Sequence, residues 1–349
     1  MPTIYDFDGF EDYATAGILR EHVRVNGAPT IVSGGRNGGS RLRCSAAQWV
    51  CRAFPSALTE FCISGYFESN VAATSHFLGF RNALYESLQA RLASDGSLAF
   101  YVCWSSIYAG GDFGDNVGYA LLGATPSALF VANEPVHVAV EVLLGATTGE
   151  IHVYRNGVLF YQLLNVNTNG SGLTPTITNF LLGSKTTAVI YADDVIVSSA
   201  SVGDRRVDSH FPTADGDHQD GTPSTGSDHY AVVDEAPEPN DDTDYVTLAT
   251  ADDRESYGCE AFKNSGATID AVMVVLDAKK TDAGTATLAA SVRTPGSPGA
   301  DFDGTAVGVS TSYGRQKEVY QWDPASGSPA AAWDEAGFNA AEFGAVKVA

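Results

Sequence analysis

The chain has 349 residues, room for two or three domains at the usual ~100–200 residues each. A hydrophobic content of 44% is enough to fill complete cores, and 36 Gly and 14 Pro punctuate short runs of Val, Ile, Thr, Tyr and Phe in the manner of sandwiches or barrels. The formal charge of −22, from 42 acidic and 20 basic residues, argues against nucleic acid and anionic lipid as partners, because like charge repels.

The first residues, MPTIYDFDGFEDY, have neither a basic start nor an apolar h-region, so no secretory leader is expected. No apolar run approaches the ~20 residues of a membrane helix, so no membrane insertion is expected. Asp6, Asp8, Glu11 and Asp12 lie among bulky apolar neighbours and read as strand and turn residues. The five cysteines (Cys44, Cys51, Cys62, Cys103 and Cys259) are odd in number and form no CxxC pair, which predicts reduced, mostly buried thiols.

Strand follows strand from residue 1 to about 202. Asp95-Gly96 divides two β-type runs. Val136, Val138, Val140, Val142 and Leu144 alternate, giving one strand an apolar face. Asn156-Gly157 sits between Ile151–Arg155 and Val158–Tyr161 and predicts a tight hairpin, since both residues accept positive φ. Ala188–Val197 is a further strand. Residues 203–243 are acidic and rich in Gly and Pro, and read as an inter-domain connection with little to bury. From 244 to 349 β-type runs return, with Ala331–Phe343 as the one short helix expected, Trp333, Phe338 and Phe343 lying close to one face. The fold class expected is all-β: a jelly-roll sandwich over 1–202, then a smaller β-rich domain.

No GxSxG elbow, HExxH, P-loop or post-strand GxGxxG is present, and the seven histidines are scattered. The strand-face carboxylate run of jelly-roll glucanases is missing, and Val136–Leu144 supplies only Glu141. These absences predict no catalytic residues and no enzyme activity. Asp193-Asp194, inside a strand, is the candidate Ca²⁺ ligand pair; the preferred alternative has one Asp facing solvent and the other bonding a loop backbone. No other cofactor is expected. Trp104, Trp322 and Trp333 are candidate sugar-stacking platforms, with core filling as the preferred alternative. His218 and His229, among aspartates, are read as part of a solvated loop. Pro2, Thr3, Ile4, Phe343, Val346 and Val348 are candidates to lend a terminal strand to a neighbouring subunit, against the preferred alternative that each terminus closes its own sheet.

Residues 1–202 resemble the LamG/concanavalin A-like jelly roll. The residues that carry this are Tyr5-Asp-Phe-Asp-Gly-Phe-Glu-Asp-Tyr13, the turn Gly34–Arg43, the strand Val136–Val142, the Asn156-Gly157 hairpin and the closing strand Tyr191–Val197. The junction Gly203–Gly216, with Tyr230–Glu235, Asp242–Val246 and Trp333–Gly344, looks like segments of tailed-phage virion structural proteins. The resemblance implies a virion component made in the host cytoplasm. It would be tail-associated (a minor tail, tail-tip or fibre-type protein), with a head decoration protein or a receptor-binding lectin as alternatives. Its implied partners are other virion proteins, copies of itself and a host-surface glycan.

Overall fold

A computed structural model describes the chain except residues 13, 16, 17, 19–21, 23, 37, 38, 72, 83–85, 104–118, 170–175, 238, 295–298 and 327–329. It divides into two compact units, Met1–Val207 and Asp208–Ala349.

The strands of the first unit are β1 (Ile4–Asp8), β2 (Arg24–Asn26), β3 (Thr30–Ser33), β4 (Ser40–Ser45), β5 (Gln48–Leu58), β6 (Glu60–Ser69), β7 (Ser75–Arg81), β8 (Glu86–Leu92), β9 (Leu98–Cys103), β10 (Tyr119–Ala124), β11 (Val136–Leu143), β12 (Gly149–Arg155), β13 (Val158–Val166), β14 (Ile177–Ser184) and β15 (Val189–Ser198). They form two antiparallel sheets. One runs β13-β12-β11-β6-β15-β4-β3, with β1 also beside β15; the other runs β10-β9-β8-β7-β14-β5-β2. This is the all-β sandwich the composition predicts.

The sheets meet face to face through the alternation of their strands. Val136, Val138, Val140 and Val142 of β11 are buried in one core with Phe61, Ile63 and Phe67 of β6. Across the gap lie Phe77, Phe80, Leu88 and Phe100; Phe67 meets Phe77 and Phe61 meets Phe80, each at 5.0 Å between ring centroids. Fully burying such side chains contributes roughly 1.5–3 kcal/mol each. The predicted hairpin is present: Asn156 and Gly157, at φ 51° and 76°, join β12 to β13. Gly96, at φ 78°, turns the chain between β8 and β9.

One polar contact interrupts this apolar interior. Arg52 of β5 points inward and reaches β1 of the opposite sheet. Its Nε and Nη2 donate to Asp6 Oδ2 and Oδ1 at 2.5 and 2.7 Å, its Nη1 to Asp8 Oδ2 at 2.7 Å, and its Nη2 also to the Phe7 carbonyl at 3.1 Å. All three charged residues are buried.

The second unit contains β16 (Pro212–Gln219), β17 (Thr222–Pro223), β18 (Val246–Thr247), β19 (Arg254–Cys259), β20 (Val272–Ala278), β21 (Thr287–Arg293), β22 (Asp301–Asp303), β23 (Val307–Gly308), β24 (Gly314–Tyr320), α1 (Glu335–Ala340) and β25 (Glu342–Lys347). Its main sheet runs β16-β19-β25-β21-β22, with β23 beside β21. Trp333, Phe338 and Phe343 come together in its core, and Asp334 caps α1 by accepting the Gly337 N–H.

One expectation is corrected here, and the termini follow the preferred alternative in which each closes its own sheet. Residues 203–243 are not a plain connection: the units divide after Val207, and Pro212–Gln219 is the edge strand of the second sheet. An edge strand with a solvent-facing side is built from the same polar residues as a linker, so composition misleads. The candidate interface residues Ile4, Phe343 and Val346 are buried in their own sheets, and β25 lies between β19 and β21, with partners on both edges. Such a strand has no free edge to lend. Pro2 and Thr3 precede β1, where Thr3 exchanges hydrogen bonds with Ser199, while Val348 follows β25 and donates to the Thr287 carbonyl.

Replacing Arg52 by Met leaves two carboxylates buried without their cation. We expect a loss of about 3–5 kcal/mol in urea unfolding. Adding Asp6→Asn and Asp8→Asn in the same chain should recover much of that loss. An Arg52→Met protein as stable as the parent would show that the contact contributes nothing.

Candidate functional site

The outward face of the first sheet carries a cavity of about 380 Å³. Three strands and one turn build it. The antiparallel register sets Tyr191 of β15 opposite Glu68 of β6, and Asp193 opposite Tyr66. Their neighbours Phe67 and Ala192 lie in the core, so these four side chains point the other way. Arg41 of β4 and the turn residues Gly34, Gly35 and Arg36 complete the lining.

The charged groups of the cavity are paired and stacked. Arg41 Nη1 donates to Glu68 Oε2 at 2.6 Å, and its guanidinium lies 3.9 Å from the Tyr191 ring centroid. Arg36 sits 5.0 Å from the Tyr66 ring centroid and donates through Nη1 to Asp204 Oδ1 at 2.7 Å. Two guanidinium–phenol stacks thus hold the tyrosines in place at modest entropic cost.

Asp193 and Asp194, the candidate Ca²⁺ pair, are spent on the backbone. Asp193 Oδ2 accepts the Arg36 N–H at 2.6 Å and its Oδ1 the Asp194 N–H at 2.9 Å. Asp194 Oδ1 accepts the Val207 N–H at 2.8 Å, and its Oδ2 lies 3.4 Å from Arg36 Nη1. The pair ties the 34–36 turn and the segment ending at Val207 to β15. Asp194 takes φ 50° at a register shift that turns both carboxylates to this duty. Gly35 is required opposite: a Cβ there would lie 2.3 Å from the Ser40 carbonyl oxygen and 2.6 Å from Asp193 Oδ2. Among the described residues no group of three or more His, Cys, Asp or Glu is placed to hold a metal ion.

Burial pushes Asp193 up to about 7, with the neighbouring Asp194 charge adding to it. Burial likewise raises Asp194 to about 6, against the Val207 N–H and Arg36, which pull it down.

A second polar row lies on the outward face of the other sheet. Arg91 pairs in register with His76, and Gln89 with Tyr101. Gln89 Oε1 accepts from Arg91 Nε and Nη2 at 2.9 and 2.6 Å, and the Arg91 guanidinium lies 4.2 and 5.5 Å from the Tyr101 and Tyr119 ring centroids. Gln89 and Arg91 of this row are buried, at 0% and 7% exposure. Its signal was present in the alternation of Leu88, Ala90 and Leu92 with polar Gln89 and Arg91.

The remaining candidates scatter. Trp322 is exposed in the second unit, after β24. Trp104 lies outside the described residues. Trp333 is core, its indole N–H donating to the Tyr320 carbonyl. His218 and His229 leave the solvated loop expected of them: His218 bonds Asp301 at 3.0 Å, and His229 is buried against Glu255 at 3.0 Å. Four cysteines are buried, and all five are free thiols.

No family model matches the chain, and neither does any curated protein. Among solved structures it is similar to an endo-β-1,4-glucuronan lyase from the fungus Trichoderma reesei (TM-score 0.42, 12% identity, 57% of this chain and 96% of that one). It is also similar to the alginate lyase Aly36B (TM-score 0.34, 13% identity, 59% and 98%). A third is a carbohydrate esterase from the Shiga toxin-encoding bacteriophage phi24B (TM-score 0.33, 13% identity, 51% and 90%). At these scores none assigns a function. The expectation of a non-enzyme is nevertheless corrected, because two lyases and an esterase stand among these similar structures. The absence of a hydrolase carboxylate run and of familiar nucleophile motifs leaves lyase chemistry untouched.

The raised carboxyls fix the sign of a pH effect. Between its ordinary 3.8 and about 7, Asp193 keeps a proton in the folded chain that the unfolded chain has released. Stability therefore falls as pH rises through that window. We expect the first unit to lose on the order of 1–3 kcal/mol between the two limits from this pair. Asp193→Asn should flatten the upper part of the slope in thermal melts at stepped pH. An unchanged slope would place the titration elsewhere.

Proposed function

We propose that the chain is a glycan-binding structural component of a tailed-phage particle, with the sugar seated in the cavity between β4, β6 and β15. The observation that carries the glycan reading is the pairing of two fixed phenol rings with two arginines around one cavity. Aromatic faces receive the apolar C–H face of a sugar ring. Guanidinium and carboxylate edges meet its hydroxyls. Because Arg41 and Arg36 are already stacked, little side-chain freedom is lost on binding.

The particle reading is supported by the sequence resemblance at Gly203–Gly216 and Trp333–Gly344. That resemblance favours a position on the tail over one on the head. Other virion proteins and a host-surface glycan would then be its partners.

Binding of the full chain to an array of neutral and acidic bacterial surface glycans tests the first half. Arg41→Ala and Tyr191→Ala should each weaken a positive signal on the order of tenfold, the equivalent of about 1.4 kcal/mol. Arg24→Ala, on β2 of the other sheet, should leave it unchanged. Binding that survives both cavity changes would move the site elsewhere. Mass spectrometry of gradient-purified particles tests the second half, and absence of the chain from intact particles would refute it.

A further inference from the structure

We infer that the first unit pairs with a second copy of itself through a side wall formed by β13 and β10. These two strands end their respective sheets on the same side. Among the described residues each has one strand partner, β12 for β13 and β9 for β10. The two edges approach one another: a Cβ on Gly123 of β10 would lie 2.8 Å from Leu163 Cδ2 and from Tyr161 Oη of β13.

The wall is apolar and open. Val158 is 69% exposed, Leu121 59%, Leu159 48% and Leu164 46%. No residue of Val158–Val166 or Tyr119–Ala124 is charged, and none is proline.

The other edges of the larger sheets are guarded. β3 has four residues. β2 has three and carries Arg24. β1 carries Asp6 and Asp8, β16 carries Asp215 and Asp217, β22 carries Asp301 and Asp303, and β23 has two residues. Short length and charge are the usual means of keeping a sheet edge from pairing with another chain. β13 has nine residues and neither protection.

Charge selects the occupant. Two copies each bring a formal −22, so like-charge repulsion opposes contact over most of the surface. The uncharged wall is where that repulsion is least. A two-fold axis near Gln162 sets one β13 antiparallel to the other, the relation an antiparallel ladder needs. It continues the sheet across both copies and covers the exposed Val and Leu side chains. A foreign partner for so acidic a chain would instead be expected to bring cations to its carboxylates.

Sedimentation velocity on the full chain over a range of concentration and salt tests this. We expect a reversible dimer that strengthens as salt rises, because screening removes the repulsion and leaves the apolar contact. Leu159→Glu with Leu164→Glu should raise the dissociation constant on the order of tenfold or more, with circular dichroism and melting temperature unchanged. Should that variant fold poorly, hydrogen exchange of the unaltered chain decides: amides of β13 should slow at high concentration relative to low. A monomer at every concentration would overturn the inference. So would a dimer that weakens with salt, a dimer untouched by the two substitutions, or β13 amides indifferent to concentration.

Discussion

A single guanidinium between the two sheets organises much of the first unit. Arg52 lies where the apolar interior would otherwise continue, and it engages both carboxylates of β1. Removing three charges from water is expensive, and the contact is tolerated because nearly every polar atom finds a partner. Its effect on geometry is clear. β1 can occupy only the register that brings Asp6 and Asp8 to the same cation, so the first strand is fixed against the last, β15, and across to β5. Asp8 in turn lies close enough to Asp193 for its charge to help raise that carboxyl. From Asp193 the chain of contacts passes to the Arg36 N–H, to the turn, and so to the cavity wall.

How much of this was legible in the sequence depends on the range of each interaction. The Asn156-Gly157 and Asp95-Gly96 hairpins and the alternation of β11 are local and could be read directly. The helix was placed correctly but read too long, because Trp333, Phe338 and Phe343 all face the core while only Glu335–Ala340 is helical. The cavity was not legible. Its residues come from positions 36, 41, 66, 68, 191 and 193, and only the crossover that places β6 beside β15 brings them together. Asp193-Asp194 stood out as an oddity inside a strand, and the oddity was genuine. Its cause is a register shift tying two segments to the sheet, with every carboxylate oxygen bound to or facing an N–H group.

The acidic stretch after residue 203 teaches a related lesson. Low hydrophobicity argues that a segment has no core of its own, which holds for Pro212–Gln219. It does not follow that the segment is a linker. β16 needs no core, because β19 supplies hydrogen bonds along one edge and the second sheet supplies the packing. Its two extra residues between Asp215 and Gln219, relative to β19, let Asp217 and His218 leave the ladder and reach Arg293 and Asp301. A polar strand stitched by side chains and a polar connection share one composition, and composition alone cannot separate them.

Charge then divides the labour over the surface. Acidic residues guard β1, β16 and β22, and the same residues do structural duty: Asp6 binds Arg52, Asp301 binds Arg293, and Asp303 binds Arg254. The Asp301 and Asp303 carboxylates, held by arginines of their own sheet, close that edge to a foreign strand and tie neighbouring strands together, while Asp6 ties β1 across to the opposite sheet. β13 and β10 have no such residues, and their inward side chains, Tyr161 and Leu163, pack on the core. Apolar residues on both faces of an edge strand would be a liability on a free surface, since they invite irregular association. Their confinement to one side wall, in a chain otherwise so acidic, is the pattern expected when one edge is kept for a contact of defined geometry and the others are closed.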